Sequence, residues 1–422
     1  MDFISIERLN YRIYAEFPKI TSPSTFMHPE LLQEIFSRPD FEAFIQEHEA
    51  AEVTQLAFQF HGKTPFPLAV ALEQIQLRQK ARTKIPEWAE KGCFLTAKGL
   101  EQCSSSLTAT KKAEEVLKSF TRCRLLDCNG GMGVDTWAFA RLGASVTTIE
   151  QDPWIANLLR INQKKLHQKV EVVQGEVLSW LDQNPKAYFD LVYADPDRRS
   201  EAGKRLAHPD QLNPPVSQLL SRLQGRCRQI LLKMSPLFDP REGIKILPFV
   251  KEVWIISTQH ECREILFLIE PGFKGQVSFM ASACFQQRWF YGKGIPEFPK
   301  ETWQDASFLY VTDTAFVLSG LAPNLPGVLA RLDRGMYALT QELVEDFPGI
   351  PYRILLRIPE KGKALLRTLA KVLPEAHINI SAKGSNVKSE ELLKALKKKP
   401  GGNKLVLIRP ETDAEVLLLE KV

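Results

Sequence analysis

At 422 residues and 44% hydrophobic content the chain is long enough for two to four domains with real cores, and its seven cysteines contain no C-x-x-C pair, which argues against a disulfide framework or zinc site. The seven histidines lack H-E-x-x-H spacing, no apolar run approaches the roughly 18 residues that span a bilayer, and nothing resembles a signal peptide; a cytoplasmic chain with neither metal nor membrane partner is expected. Net charge is +5, but residues 351–422 hold 15 Lys and Arg against 8 Asp and Glu, a net of +7, so the cationic excess belongs to the C-terminal segment.

Residues 1–90 read as a helical N-terminal domain. Leu31, Leu32, Ile35 and Phe36, then Phe41, Phe44 and Ile45, recur at helical spacing, and Val70, Leu72, Ile75 and Leu77 fall in a further long segment. Ser104, Ser105 and Thr108 stand ahead of a helix predicted at about 111–120, where Ser and Thr are ordinary N-cap residues.

The stretch Leu125-Leu126-Asp127-Cys128-Asn129-Gly130-Gly131-Met132-Gly133 follows, an apolar strand ending in a carboxylate and running into glycines. Gly130, Gly131 and Gly133 permit positive φ and close approach of the backbone to a ligand, and the helix predicted at about 134–142 would direct its free N–H groups there. A second strand, Ser145 to Ile149, ends at Glu150-Gln151, with Glu150 twenty-three residues after Asp127, the distance at which a βαβ unit places a carboxylate on a ribose diol. A nicotinamide fingerprint asks for a third glycine where this chain has Thr136. S-adenosylmethionine, a dinucleotide, or a bare strand-to-helix turn all remain open from this loop alone.

A third strand, Val170 to Gln174, ends at Gly175-Glu176, where a carboxylate can accept from an adenine amino group; a fourth, Phe189 to Ala194, ends at Asp195-Pro196-Asp197-Arg198. Further strands are predicted at 229–234, 253–257 and 265–269. Strands alternating with helices make an open α/β sheet whose ligands bind beyond the carboxyl ends of the strands. Over about 94–269 the chain resembles a class I S-adenosylmethionine-dependent methyltransferase, with a Rossmann-like sheet, through Asp127 to Gly133, Glu150, Gly175-Glu176 and Asp195-Pro196 in order. The resemblance implies S-adenosyl-L-methionine as cofactor, with Asp127, Asn129 and the three glycines at its methionine half, Glu150 and Gln151 at the ribose, and Gly175 and Glu176 at the adenine. Ser104 and Thr108 then either cap a helix or close over the cofactor carboxylate.

Methyl transfer is an in-line displacement, so catalysis is largely orientation of the acceptor. In methyltransferases acting on exocyclic amino groups the fourth strand ends in Asp or Asn, two prolines and an aromatic residue; here Asp197 and Arg198 replace the last two. Asp195, Pro196 and Arg198 are the catalytic candidates, Arg198 as a group that stacks on a base or forks onto a phosphate. Cys262, in Glu261-Cys262-Arg263-Glu264, is the tempting nucleophile for a rival chemistry at uracil C5, but flanking carboxylates disfavour its thiolate and it reads as structural.

Residues 271–345 read as a small ferredoxin-like connector with strands at 277–280 and 308–311. Residues 346–422 alternate helix (361–372), strand (377–381), helix (389–398) and two strands (404–409, 415–419), a succession that resembles the THUMP-like domain accompanying some bacterial methyltransferases. With Lys361, Lys363 and Lys397-Lys398-Lys399 it carries the footprint of a phosphate-backbone binder. The expected whole is an α/β RNA methyltransferase in four parts (1–90, 91–270, 271–345, 346–422) that grips tRNA or rRNA through its basic C-terminal domain. A DNA or protein methyltransferase, a dehydrogenase, and an RNA-clamping protein with a degenerate core are the alternatives.

Overall fold

The computed structural model describes residues 29–197, 208–285, 288–294, 306–321, 328–332, 335–359, 362–382, 388–408 and 416–422, and the chain divides into two compact units, Met1–Leu232 and Lys233–Val422. No helix among the described residues is long and apolar enough to cross a membrane.

Among the described residues of the first unit, seven helices precede the sheet: α1 (Pro29–Phe36), α2 (Pro39–Glu47), α3 (Val53–Gln59), α4 (Leu68–Lys84), α5 (Pro86–Glu90), α6 (Ala97–Gln102) and α7 (Ser106–Leu117). α4 is buried on nearly every face, which requires its polar side chains to be satisfied internally. Gln74 exchanges two hydrogen bonds with the backbone of Leu95 (2.8 and 2.9 Å), and Arg78 donates to the carbonyls of Gly92 (2.6 Å) and Cys93 (3.2 Å). The segment after α4 is held in turn by Asn162, whose amide pairs with both N–H and C=O of Phe94 (2.9 and 2.8 Å). The N-terminal helices are thus tied by buried hydrogen bonds to the segment that leads into the sheet, across the boundary expected at residue 90.

The sheet elements alternate strictly: β1 (Arg124–Asp127), α8 (Val134–Arg141), β2 (Ser145–Glu150), α9 (Pro153–Lys165), β3 (Val170–Gln174), α10 (Val177–Gln183), β4 (Phe189–Ala194), α11 (Val216–Leu223) and β5 (Cys227–Met234), the last running across the boundary between the units. The five strands lie parallel in the order β3-β2-β1-β4-β5. The central strands read as continuous apolar runs because a parallel sheet is covered on both faces: Leu125, Leu126, Leu191 and Val192 are fully buried. After β3 the chain crosses back past β1 to begin β4, so the strand order reverses between β1 and β4, the place where such sheets open a ligand crevice.

The second unit contains α12 (Pro240–Ile246), β6 (Val250–Thr258), β7 (Glu261–Ile269), β8 (Ser278–Phe285), β9 (Arg288–Gly294), β10 (Phe308–Thr312), α13 (Thr314–Ser319), β11 (Val328–Leu332), β12 (Tyr337–Thr340), β13 (Gly349–Ile358), α14 (Gly362–Val372), β14 (Asn379–Ser381), α15 (Ser389–Leu396), β15 (Lys404–Ile408) and β16 (Val416–Lys421). β6 pairs antiparallel with β7 and parallel with β8, and β9 closes that group antiparallel to β8. A separate seven-stranded sheet has the order β11-β12-β10-β13-β16-β15-β14. It joins β10 directly to β13, and so runs across residue 345, where the sequence pattern places a boundary between connector and C-terminal domain.

Candidate functional site

The register of the parallel strands brings the acidic ends together. Asp127 closes β1 and is aligned with Thr148 of β2 and Tyr193 of β4; Glu150 closes β2; Gly175-Glu176 follows β3; and Asp195 follows β4. With neighbouring strands about 4.8 Å apart, the four ends form a row of about 15 Å along one edge of the sheet. Fold geometry alone sets this convergence, since no two of the four are adjacent in sequence.

The turn after β1 holds two of its glycines in the left-handed region. Gly131 (φ 51°) and Gly133 (φ 77°) adopt the left-handed region, and a Cβ on Gly133 would lie 2.2 Å from Leu159 Cδ1, whereas one on Gly131 would meet nothing within 4 Å. Gly131 is therefore the open face of the loop and Gly133 the packed one. Gly130 donates to the carbonyl of Ile149 (2.9 Å), tying the loop to β2. Asn129 donates its N–H to Asp127 Oδ1 (3.2 Å), while its own Oδ1 is buried without a hydrogen-bond partner.

Asp127 is 1% exposed and accepts from Thr136 Oγ1 at 2.5 Å. Thr136 occupies the place of the missing third glycine, so the departure from the nicotinamide pattern is a second anchor for the strand-end carboxylate. Burial pushes Asp127 from 3.8 to about 7, with the charges of Asp135 and Asp195 adding to it and the hydrogen bond from Thr136 opposing. Because folding raises this pKa, the stability it contributes is complete below pH 3.8 and is given up as pH rises through about 7.

Glu150 accepts from the amides of Gly131 (2.8 Å) and Asp152 (2.9 Å), and burial raises its pKa. Gly175 (φ 152°) donates to the carbonyl of Glu150 (2.9 Å), linking the second and third strand ends. Glu176 is the N-cap of α10, accepting from Leu178 N (3.0 Å), Ser179 N (2.7 Å) and Ser179 Oγ (2.8 Å). Burial works against that carboxylate, yet these hydrogen bonds hold it below the ordinary range.

Two predicted residues on the approach to α7 part ways. Ser105 is the N-cap, accepting from Thr108 N at 3.1 Å, and among the described residues Thr108 makes its side-chain hydrogen bonds to Ser105 alone. Ser104 instead donates to Asp135 Oδ2 (2.9 Å) in the first turn of α8. Asp135 also accepts from Tyr193 OH (2.9 Å) and pairs with Lys112 Nζ (2.7 Å), which is fully buried and donates further to Ser104 Oγ (3.0 Å) and Tyr193 OH (3.2 Å). A buried ammonium requires such complete pairing. Lys112, Asp135 and Tyr193 bracket the glycine loop and β4, and were missed by the sequence reading; the available signal was a lysine on the apolar face of α7 beside Ala109, Ala113 and Val116.

At the end of β4, Asp195 is half-buried and Pro196 buried. Asp197 forms an antiparallel bridge with Asn213 (2.9 and 3.2 Å), and Asn213 Nδ2 reaches Gln151 Oε1 at 3.4 Å. Asn213 thereby connects the fourth strand end to the second. Arg198 lies outside the described residues.

In the second unit, Cys262 is half-buried, and burial pushes its thiol up to about 12, with the carboxylates of Glu264 and Asp313 adding to the rise. Such a thiol is protonated at neutral pH and inert as a nucleophile. Cys262→Ala is expected to retain turnover within about twofold of the parent, in line with a structural buried thiol; complete loss of turnover with intact cofactor binding would overturn this.

Residues 111–207 match the family model described as "Conserved hypothetical protein 95". Among curated relatives, Ribosomal RNA small subunit methyltransferase J of Laribacter hongkongensis is 32% identical over 140 residues, 30% of this chain and 50% of the relative. The protein of the same name from Psychrobacter cryohalolentis is 23% identical over 236 residues, 43% of this chain and 79% of the relative. The chain thus spans about half the length of the first curated relatives it matches. A crystal structure of a protein assigned provisionally as a methyltransferase, from Porphyromonas gingivalis W83, superposes with a TM-score of 0.75 at 22% identity, covering 92% of this chain and 98% of that one. That likeness is one of fold.

Proposed function

We propose that the chain is an S-adenosylmethionine-dependent methyltransferase acting on a base of structured RNA, tRNA or rRNA, at an exocyclic amino group. The carrying observation is the row of Asp127, Glu150, Glu176 and Asp195 along one edge of a parallel sheet, with the glycine turn at its switch point. The sequence match to ribosomal RNA methyltransferases supports the RNA substrate. A helical N-terminal part, a ferredoxin-like connector, a THUMP-like C-terminal part and a cytoplasmic setting belong to the same proposal.

The residues present fit such a cofactor on two counts. Asn129 Oδ1 is a buried acceptor without a partner, and the Cβ direction of Gly131 opens onto free space. Asp127, Asn129 and the three glycines, with Ser104 and Thr108, would hold the methionine half; Glu150 and Gln151 the ribose; Gly175 and Glu176 the adenine. When bound, the sulfonium supplies an activated methyl group. Asp195 accepts a hydrogen bond from the base amino group and the Pro196 carbonyl a second, which fixes the nitrogen lone pair in line; Arg198 supports the base or a neighbouring phosphate. Orientation of this kind is worth several kcal/mol, and the nitrogen would lose one proton to water as it gains the methyl group. A base in a duplex would first have to be extruded.

The raised pKa of Asp127 gives a test of its role. If the ionised carboxylate holds a cationic group, binding requires loss of the proton carried below about pH 7. The dissociation constant of S-adenosylmethionine is then expected to fall about tenfold from about pH 6 to about pH 8, as a single titration near 7 dictates. Calorimetry on Asp127→Asn should show a flat profile; a parent profile that is itself flat would reject the assignment. The overall function is tested by incubating the protein with labelled S-adenosylmethionine and total RNA, followed by nucleoside analysis. Label in a methylated base is expected, and label confined to DNA or protein would overturn the RNA assignment.

A further inference from the structure

We infer that the outer faces of α14 and α15 form a phosphate-binding ridge on which RNA docks by its backbone without being read for sequence, an inference that rests on the RNA-methyltransferase reading above. Lys363, Arg367 and Lys371 recur at every fourth residue of α14, all three are exposed, and the helix contains no acidic residue. At 1.5 Å rise per residue they stand about 6 Å apart along a ridge of about 12 Å.

Packing sets the direction of this face. Leu365, Leu369 and Leu373 are buried in the same cluster as Leu392 and Leu396 of α15 and Val406, Ile408, Val416 and Leu418 of the sheet. Both helices therefore rest on one sheet face and turn their outer sides to the same solvent. α15 adds exposed Lys394, and the run after it adds Lys397 and Lys399. Between those two, Lys398 is spent on structure: its Nζ donates to the carbonyls of Leu373 (2.8 Å) and Glu375 (2.7 Å) just beyond the end of α14. That bond pins the lysine run beside the helix end where Lys371 stands.

Among the described residues, the ion pairs of this segment use other lysines, Lys388 with Glu391 (3.5 Å) and Lys404 with Glu420 (2.7 Å). Among the described residues, Lys363, Arg367, Lys371, Lys394, Lys397 and Lys399 have no carboxylate within 4.0 Å; Glu360, Glu375 and Glu390 are the remaining acids nearby in sequence. Six unneutralised cations repel one another, and a polyanion relieves that repulsion while releasing its own counterions. Residues 362–408 contain no Phe, Tyr or Trp, so the face has no ring on which a base can stack. Contacts of this kind set orientation and register and leave sequence selection to other groups.

The test replaces Lys363, Arg367 and Lys371 together by Gln in the full chain and measures binding of several structured RNAs of unrelated sequence across a KCl series, with S-adenosylhomocysteine affinity in parallel. The expected result is an equal loss of affinity for every RNA and a salt-dependence slope lower by about 2 to 3, the sum for three phosphate contacts. Paired Lys404→Gln serves as the control with the parental slope. An unchanged slope in the triple variant, loss confined to one RNA sequence, or a loss seen only with acidic peptides or anionic vesicles would overturn the ridge. If the parent binds RNA with the expected slope but neither binds S-adenosylhomocysteine nor transfers methyl groups, the ridge stands and the methyltransferase reading falls.

Discussion

Replacing Asp195 by Ala is expected to lower methyl transfer by at least about a hundredfold, the scale on which one preorganised polar group acts, while S-adenosylhomocysteine affinity stays within about twofold. The separation follows from position: Asp195 lies beyond β4, on the far side of the strand-order reversal from the ends of β2 and β3 assigned to ribose and adenine. Removing its carboxylate should spare the local backbone, because the Asp197–Asn213 bridge holds the residues that follow. Asp195→Asn retains one acceptor oxygen and should recover part of the rate. Single-turnover transfer to RNA with saturating cofactor, paired with calorimetry, measures both quantities; a variant that turns over as fast as the parent removes Asp195 from the mechanism.

Gly133→Ala is expected to destabilise the first unit by about 2 to 4 kcal/mol, combining about 1 kcal/mol for an alanine in the left-handed region with about 1 to 3 for overpacking. Its Cβ would sit 2.2 Å from Leu159 Cδ1 and 2.7 Å from Gln163 Nε2, and both side chains are buried. Gln163 also donates to the Gly133 carbonyl (3.2 Å), so shifting it costs a hydrogen bond as well. Gly131→Ala is the matched comparison: φ is again positive at 51°, but no atom lies within 4 Å of the added carbon, and about 1 kcal/mol of strain is all that should appear. Urea denaturation of the two variants separates them, and equal midpoints would show that Leu159 yields at little cost.

The strand ends of the candidate site were legible because each is announced locally, by an apolar run that stops at a carboxylate or glycine. Asp127, Glu150, Glu176 and Asp195 were all named from such runs, and the structure places them on one edge. Glu176 was legible as a strand-end acid but not as a helix cap, since the same residue type serves both. Thr136 was visible only as a missing glycine; that its hydroxyl would anchor Asp127 depends on the pitch of α8 against β1. In the second unit β13 escaped notice, with Pro351 near its start and Leu355 and Leu356 exposed, which blurs the alternation that marks a strand.

What the chain determined by itself is therefore the α/β alternation, the glycine turn, the carboxylates that end its strands, and the confinement of its net positive charge to the last 72 residues, all properties of neighbours in sequence. Tertiary structure alone decided that Lys112, Asp135 and Tyr193 meet in one buried cluster, that Asn213 reaches back to Gln151, that a single sheet crosses residue 345, and that Lys398 is structural while the lysines beside it face solvent. These pairings join residues tens of positions apart, and their partners are chosen by which faces the packed core leaves free, which no local pattern records.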